Sequence, residues 1–195
     1  MNSKPAKDCH SERSKESQSS EFLRLLRENL AERCVDGGTL RNQGSKGVVA
    51  TARRFLKTID LEKIASCDQR QFIDVLNEQA ERLANSFPGK ARGNLGAARK
   101  AVNLFLRDVL YNRFLCEAYG FVRVEPLLEV PLDGDVAGKL RQEPGGTSLS
   151  RWNGIKRLSP EQSNEYQCAA VRVAERKHIA RVHLDLLWWR AGRNA

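Results

Sequence analysis

Apolar residues recur at helical spacing along most of this chain. In the first such segment Phe22, Leu25, Leu26 and Leu30 follow i, i+3, i+4 spacing and therefore share one helix face. Similar patterns predict eight helices, over about residues 21–36, 47–58, 61–65, 69–87, 96–118, 134–142, 160–177 and 179–190. The last segment also alternates in a way that suits a strand, but no partner strand is evident. We therefore predict an all-α fold, a compact multi-helix domain without internal repeats.

Side-chain signals mark several of the helix ends. Asp68 followed by Gln71 has the spacing of a capping box, in which each side chain bonds the backbone of the other residue. Ser159 before Pro160 is a strong helix start, because serine caps the first turn and proline fits the first helical position. Gly120 suits the left-handed position that ends the long helix before it.

Residues 1–20 differ from the rest of the chain, because serine and charged residues dominate them. Such a segment has almost no apolar surface to bury, so we predict a disordered tail, with Ser20 as the N-cap of the first helix. Residues 21–195 are predicted to form a single helical domain, and this length is sufficient to bury a sizeable core.

The chain is basic, with a formal net charge of +9 and an isoelectric point of about 9.6. This balance favours a polyanionic partner, above all nucleic acid, although a basic surface that only keeps the protein in solution has the same composition. No apolar run approaches the ~18 to 20 residues of a membrane span. The N-terminus also lacks the apolar segment of a signal peptide. We therefore expect no membrane partner and a cytoplasmic location, nucleoid-associated in a bacterium or archaeon.

The cysteines and histidines do not predict a metal site. The cysteines are odd in number, widely scattered and without a CxxC motif: Cys9, Cys34, Cys67, Cys116 and Cys168. This spacing indicates reduced thiols rather than structural zinc or an iron–sulfur cluster. With three histidines in the chain, and with no P-loop or Ser-His-Asp spacing, we expect neither a metal nor a cofactor.

The candidate chemistry lies around the long central helix. A basic, glycine-containing loop precedes this helix, and Lys100, Asn103 and Arg107 form a polar stripe along it at i, i+3, i+7 spacing. Because long cations are rarely buried unpaired, we predict that the stripe faces an open cleft. Asp133 has the position of an N-cap for the helix over 134–142. The irregular segment 121–132 is long enough to bring Asp133 back to Lys100, so we predict that the two side chains converge.

Two short motifs resemble a known family. The sequence Gly96-Ala97-Ala98-Arg99-Lys100-Ala101-Val102-Asn103 resembles the hairpin and second-helix start of the helix-hairpin-helix DNA glycosylases, the endonuclease III and oxoguanine glycosylase superfamily. The sequence Leu132-Asp133-Gly134-Asp135-Val136 is similar to that family's aspartate motif. The chain departs from the pattern where Ala98 replaces the second hairpin glycine and Asp135 replaces a histidine.

The resemblance implies a helix-hairpin-helix glycosylase-like fold and a role for each matching residue. Lys100 would be the amine nucleophile that attacks the sugar C1′ and forms a Schiff base, and Asp133 would activate it and stabilise the positive charge on the sugar. The chain would then be a DNA-repair glycosylase with AP-lyase activity, acting as a monomer on duplex DNA that carries a damaged base, for example an oxidised one. The expected DNA contacts are Lys90, Arg92, Gly96, Arg99, Asn103, Arg107 and Trp152, the last as an exposed aromatic residue in a loop.

Other interpretations of the same residues stay open. A lysine in the first turns of a helix is ordinarily a solvated charge, and an aspartate before a helix is ordinarily a cap. Trp188 and Trp189 suit either stacking on an extruded base or a place in the core. The alternatives to the glycosylase are a non-catalytic helical DNA-binding protein and a basic interaction or scaffold protein without a nucleic-acid role.

Overall fold

The computed structural model describes residues 8–40 and 43–191, and the side chains of residues 19–40 and 43–189. Over the described ranges the chain forms nine α-helices and no strand, so the predicted all-α class is confirmed. The helices are α1 (Asp8–Arg33), α2 (Val48–Leu56), α3 (Leu61–Ala65), α4 (Gln69–Ser86), α5 (Leu95–Tyr111), α6 (Arg113–Tyr119), α7 (Gly134–Gln142), α8 (Pro160–Arg176) and α9 (Leu184–Ala191). None of the described helices is long and apolar enough to cross a membrane.

The predicted helix ends are confirmed where a side chain caps the backbone. Asp68 accepts a hydrogen bond from the Gln71 backbone, and Gln71 accepts one from the Asp68 backbone, which completes the capping box of α4. Ser159 accepts from the backbone of Gln162 at 3.2 Å at the start of α8. Gly120 ends α6 with a φ of 65°, a conformation that favours glycine.

The central helix and the first helix differ from the prediction. The central helix predicted over 96–118 is two helices, because Asn112 leaves the helical conformation and its side chain accepts from the Leu115 backbone to cap α6. The first helix begins at Asp8 rather than after Ser20. An apolar-face criterion does not detect such a polar extension, whose glutamate, lysine and arginine residues are good helix formers. Residues 1–7 of the predicted tail lie outside the described residues.

The connection between α6 and α7 is more regular than predicted. Phe121–Leu127 forms a 3-10 helix, and only residues 128–133 are extended or irregular. Further 3-10 helices occupy short parts of the loops, namely Gly89–Ala91, Gly146–Ser148, Ile155–Arg157 and Arg181–His183. The last segment of the described chain is helical, as favoured, rather than a strand, but α9 begins at Leu184, after the 3-10 helix Arg181–His183, and not at residue 179.

The apolar side chains form two core clusters. The first is built by α1 to α6 and the 3-10 helix after them, and α5 contributes Val102 and Phe105, which are fully buried. The second contains residues of α7 and α8 together with Leu132 and Leu184. The polar side of α5 is bonded to Asp133, which caps α7, and to Asp185 of α9, both next to residues of the second cluster. This helix therefore positions the candidate site.

Removal of the residues before Ser20 is expected to leave the domain folded. Among the described side chains of α1, which start at Ser19, the first that packs against the core is Leu23, and Ser19 and Ser20 are exposed. We expect a truncation that starts at Ser20 to lower the melting temperature by less than about 4 °C, which corresponds to roughly 1 kcal/mol in a chain of this size. Thermal unfolding followed by circular dichroism tests this. A larger loss would mean that the preceding turns of α1 contribute to the fold.

Candidate functional site

Lys100 and Asp133 are in direct contact. The ammonium Nζ of Lys100, in the second turn of α5, lies 3.0 Å from the Asp133 carboxylate Oδ2, although 33 residues separate them in sequence. The other carboxylate oxygen caps α7, where it accepts from the backbone of Asp135 at 3.0 Å and of Val136 at 2.9 Å. The predicted convergence and the predicted N-cap are both confirmed.

The predicted open cleft along the polar stripe is wrong. Lys100 is only 9% exposed and Asn103 only 3%, and Arg107 is largely buried. The space between Asn103, Lys100 and Leu132 has no room for a water molecule. Burial is tolerated because each polar group has a partner, which removes the cost of an unpaired charge that the prediction assumed.

Each member of the stripe has its own partner on the facing elements. Lys100 donates to Asp133 and also to the backbone carbonyl of Thr39 at 3.4 Å. Asn103 donates to Glu129 at 3.0 Å. Arg107 forms ion pairs with Asp108 and with Asp185, which lies in the first turn of α9. Asn103 and Arg107 are therefore occupied inside the protein and are not the DNA contacts that the sequence predicted.

Arg99 is also an internal residue rather than a DNA contact. Its guanidinium binds both carboxylate oxygens of Glu129, each at 2.8 Å, and donates to Asn77 at 2.6 Å. Burial raises the pKa of Glu129, but the hydrogen bonds and charge of Arg99, with smaller effects of Arg181 and Asn103, outweigh it and leave this pKa below its usual value. Sequence reasoning missed Glu129, whose signal was a single acid within the apolar run Leu127–Val130.

Gly96 and Trp152 do not have the predicted DNA-facing positions. Gly96 is buried in the first turn of α5, where a β-carbon would overlap the backbone carbonyl of Ile155 and lie 2.9 Å from Leu158. The glycine thus permits close packing of α5 on the loop over 155–158, and its backbone is not open to a phosphate. Trp152 is half-buried and packs edge-on against Tyr166, with ring centroids 5.4 Å apart.

Lys90 and Arg92 differ from the other predicted DNA contacts, which are buried or half-buried. Both are exposed in the connection between α4 and α5. Neither side chain has a hydrogen-bond or ion-pair partner within the described part of the chain. Their positive charge is therefore available to an external anion.

A pocket of about 480 Å³ opens beside Asp133. Its walls are one side of α7 along its whole length and the described part of α9, and include Asp135, Lys139, Gln142, Trp188 and Trp189. The volume is in the range of small-ligand sites. Lys100 does not line this pocket, because Asp133 stands between the two.

The two tryptophans of α9 are partly in the core and partly exposed, so each of the two interpretations of their sequence, core packing and base stacking, fits one of them. Trp188 is partly buried against the second core cluster, whereas Trp189 is 52% exposed, and both line the pocket. The sequence analysis did not select Lys139 and Gln142. Their signal was a spacing of i, i+4, i+7 from Asp135, which places the three residues on one side of a helix.

The charges around the pocket act on one another. The pKa of Asp185 is raised above its usual value, chiefly because the carboxylate is buried. The negative charge of Asp133 adds to this rise, whereas the positive charges of Arg107 and Lys100 oppose it. Two cations and two carboxylates thus form one electrostatic cluster between α5, α7 and α9. Any change in the protonation of one of these groups will affect the others.

The cysteines and potential metal ligands are spread over the structure. Burial is the largest cause that raises the pKa of Cys34, to about 12, and it also raises the pKa values of Cys67 and Cys116. These thiols are therefore poor nucleophiles near neutral pH. Among the described residues no group of three or more His, Cys, Asp or Glu side chains is placed to hold a metal ion.

The fold and site define an all-α domain in which a helix with one apolar and one charged side joins two apolar cores. No protein-family model, curated protein or solved structure matches this chain. The functional argument therefore depends on the geometry of the site.

Proposed function

We propose that this protein is a DNA-repair glycosylase with AP-lyase activity that removes a damaged base through a Schiff base on Lys100. The observation that carries the proposal is the 3.0 Å contact between Lys100 and Asp133 at the start of α7, beside a pocket with tryptophan side chains in its wall. The proposal includes a helix-hairpin-helix glycosylase-like arrangement, in which α4, the loop over 87–94 and α5 provide the hairpin.

The chemistry needs an amine that loses its proton next to the reacting sugar. The ammonium of Lys100 already donates a hydrogen bond to Asp133, so the carboxylate is placed to take this proton. The neutral amine then attacks C1′ of the damaged nucleotide, the bond from C1′ to the base breaks, and the base leaves with the bonding electrons and takes the proton that Asp133 holds. The regenerated carboxylate stabilises the positive charge on the new C1′–amine link. A proton then moves from this nitrogen to O4′ as the C1′–O4′ bond breaks, which leaves the protonated Schiff base.

The pocket has a suitable size and composition for the base that leaves. A nucleobase must rotate out of the duplex before an enzyme can reach its C1′, and aromatic side chains favour the rotated base by stacking. Trp189 offers an exposed ring at the pocket wall, and Gln142 offers an amide for hydrogen bonds to the base edge. Since Lys100 lies behind Asp133, the pair must separate before the sugar can reach the amine.

Borohydride trapping tests the proposal. The protein is mixed with duplex DNA that carries an abasic site or an oxidised guanine, and sodium borohydride reduces any Schiff base to a stable adduct. We expect a covalent adduct with the wild type and none with Lys100→Ala. Lys63→Ala is the control, because Lys63 is exposed and far along the chain in α3.

Lys139 is the competing nucleophile, since it is the lysine that lines the pocket. Loss of the adduct in Lys139→Ala together with its persistence in Lys100→Ala would contradict the assignment of Lys100. Absence of an adduct with the wild type on both substrates would contradict the glycosylase proposal itself.

One observation favours a second candidate, a non-catalytic helical DNA-binding protein. Lys100 is buried, and its ion pair links α5 to α7, as expected for a group whose role is to join the two cores. This candidate predicts salt-dependent DNA binding without any trapped adduct.

A further inference from the structure

Acidic residues are absent from three long stretches of the chain. These stretches are residues 37–59, 82–107 and 144–160. They are far apart in sequence, and each contains a loop that carries lysine or arginine. The 24 acidic residues of the chain all lie outside these stretches. If the three stretches are close together in the fold, the surface that they form has a positive potential.

The loops of these three stretches meet at the start of α5. The Asn94 side chain donates to Gln43 at 2.7 Å, which joins the first loop to the second. A β-carbon added at Gly44 would lie 3.7 Å from both the Lys90 Cβ and the Lys156 Nζ, so the third loop reaches the same point. Loops 43–47, 88–94 and 154–157 therefore form one continuous surface, which we call the three-loop surface.

The three-loop surface is positively charged and not neutralised. Its exposed cations are Lys46, Lys90, Arg92, Lys156 and Arg157. Within the described residues none of the five has an acidic partner. Elsewhere some exposed cations are paired, as Arg24 is with Glu28 and Arg113 is with Glu117, and exposed cations without an acidic partner, such as Arg70 and Arg172, lie on separate helices. Five uncompensated charges on adjoining loops are complementary to a polyanion.

We propose that the three-loop surface binds the phosphate backbone of duplex DNA. This inference deepens the proposed function and rests on it for the choice of duplex DNA over another polyanion. Phosphate contacts are made largely by lysine and arginine and need no apolar anchor. At Gly93, with a φ of 78°, the space where a side chain would stand is open, so a phosphate can approach the neighbouring Arg92, although the Gly93 N–H itself is bonded to the Ala84 carbonyl.

The composition of the surface disfavours a protein or membrane partner. The exposed large hydrophobic side chains of the described chain lie outside the three loops. A protein interface generally has aromatic or apolar residues at its centre, and a membrane-binding surface inserts apolar side chains. The three-loop surface offers charge without either feature.

The surface adjoins the candidate site. Trp152 and Lys156 belong to the same loop. A β-carbon added at Gly134, in the pocket wall, would lie 3.9 Å from the Trp152 Nε1, so this loop contacts the pocket. Lys100 follows the first residue of α5 by five positions, which corresponds to about 8 Å along the helix. A duplex held by the three loops would therefore have its backbone beside the pocket, as extraction of a single base requires.

DNA binding by a variant with one neutralised lysine in each loop tests the proposal. The variant is Lys46→Gln, Lys90→Gln, Lys156→Gln, and the matched control is Lys57→Gln, Lys63→Gln, Lys177→Gln. The control makes the same change in net charge, but its three lysines are paired with acids elsewhere. Fluorescence anisotropy with an undamaged, labelled duplex DNA is measured over a range of salt concentrations, and thermal melting verifies that each variant is folded.

We expect the three-loop variant to lose about 10- to 100-fold in affinity and the slope of log K against log salt to decrease by about 2 to 3, since each phosphate contact contributes about 0.9. The control is expected to bind within about twofold of the wild type. Equal effects of the two variants, or no effect of the first, would overturn the proposal. Tighter binding of duplex RNA or of polyglutamate than of duplex DNA would also overturn it. If the triple variant does not fold, the single Lys90→Gln and Lys156→Gln variants carry the same comparison.

The two proposals can fail separately. Salt-dependent DNA binding that requires the three loops, with no borohydride adduct from the wild type, would contradict the lyase proposal and support the proposal for the three-loop surface. An adduct that forms equally well in the three-loop variant, with unchanged DNA affinity, would contradict the proposal for the three-loop surface and support the lyase proposal.

Discussion

Replacement of Glu129 by alanine is expected to lower the free energy of unfolding by about 3–5 kcal/mol, the usual loss when one partner of a buried ion pair is removed. Glu129 is 7% exposed and accepts two hydrogen bonds from Arg99 and one from Asn103. Without it the guanidinium stays largely buried with only Asn77 as a partner. Urea unfolding followed by circular dichroism measures the loss.

Glu78→Ala is the matched control for this experiment. Glu78 also pairs with two cations, Lys63 and Arg82, but all three side chains are about half exposed. Exposed pairs contribute about 0–1 kcal/mol, so we expect little change. Similar losses in Glu129→Ala and Glu78→Ala would mean that the Arg99–Glu129 pair is not a main stabilising contact between the two cores.

The lowered pKa of Glu129 also predicts a dependence of stability on pH. The folded protein binds a proton at this carboxylate less readily than the unfolded chain, whose glutamate has an ordinary pKa near 4.5. The contribution of Glu129 is therefore complete above about pH 4.5 and is lost as the pH falls through the lower pKa of the folded state. We expect the stability difference between the wild type and Glu129→Gln to decrease over this acidic range, whereas a constant difference would contradict the assignment.

Replacement of Asp133 by asparagine is expected to reduce the rate of adduct formation by roughly 100- to 10,000-fold, the usual range for a group that transfers a proton in catalysis. Asparagine caps helices as well as aspartate does, and its oxygen can still accept from the backbone of Asp135 and Val136. What is lost is the carboxylate oxygen that faces Lys100. Single-turnover borohydride trapping measures the rate, and anisotropy with undamaged duplex DNA verifies that binding is retained.

Asp135→Asn is the matched control for Asp133→Asn. Asp135 is exposed, lies two residues further along α7 and lines the same pocket, but it does not contact Lys100. A comparable loss of rate in both variants would point to the general negative potential of the pocket. No loss in Asp133→Asn would remove this residue from the proposed chemistry.

Asp133→Asn also has an expected effect on stability. It leaves the buried ammonium of Lys100 with the Thr39 carbonyl and an uncharged amide, so we expect a loss of about 1–3 kcal/mol, as for a hydrogen bond to a charged group. The fold should persist, because both cores are unchanged. A stability loss without a rate loss would support the structural interpretation of the pair.

The sequence by itself determined the elements whose causes are local. The capping box of Asp68 and Gln71, the serine–proline start of α8, the glycine that ends α6 and the aspartate that caps α7 all act within a few residues of themselves. Such signals have one outcome in almost any tertiary context, because a capping side chain satisfies the orphan backbone groups of its own helix. The contact between Lys100 and Asp133 was also predicted, although the chain that connects α5 to Asp133 is α6, a 3-10 helix and a short irregular segment rather than the long irregular connection that the prediction assumed.

Only the tertiary structure decided what the polar stripe of α5 faces. A lysine, an asparagine and an arginine at helical spacing have the same pattern whether they meet solvent or acidic partners, and Glu129 and Asp185 lie 26 and 78 residues away from the groups that they bind. Burial of a charge is unfavourable alone and tolerated in a pair, so the outcome depends on a partner that no local pattern identifies. Likewise, close packing of Gly96 against Ile155 depends on a loop nearly 60 residues further along the chain, which folds back only in the complete domain.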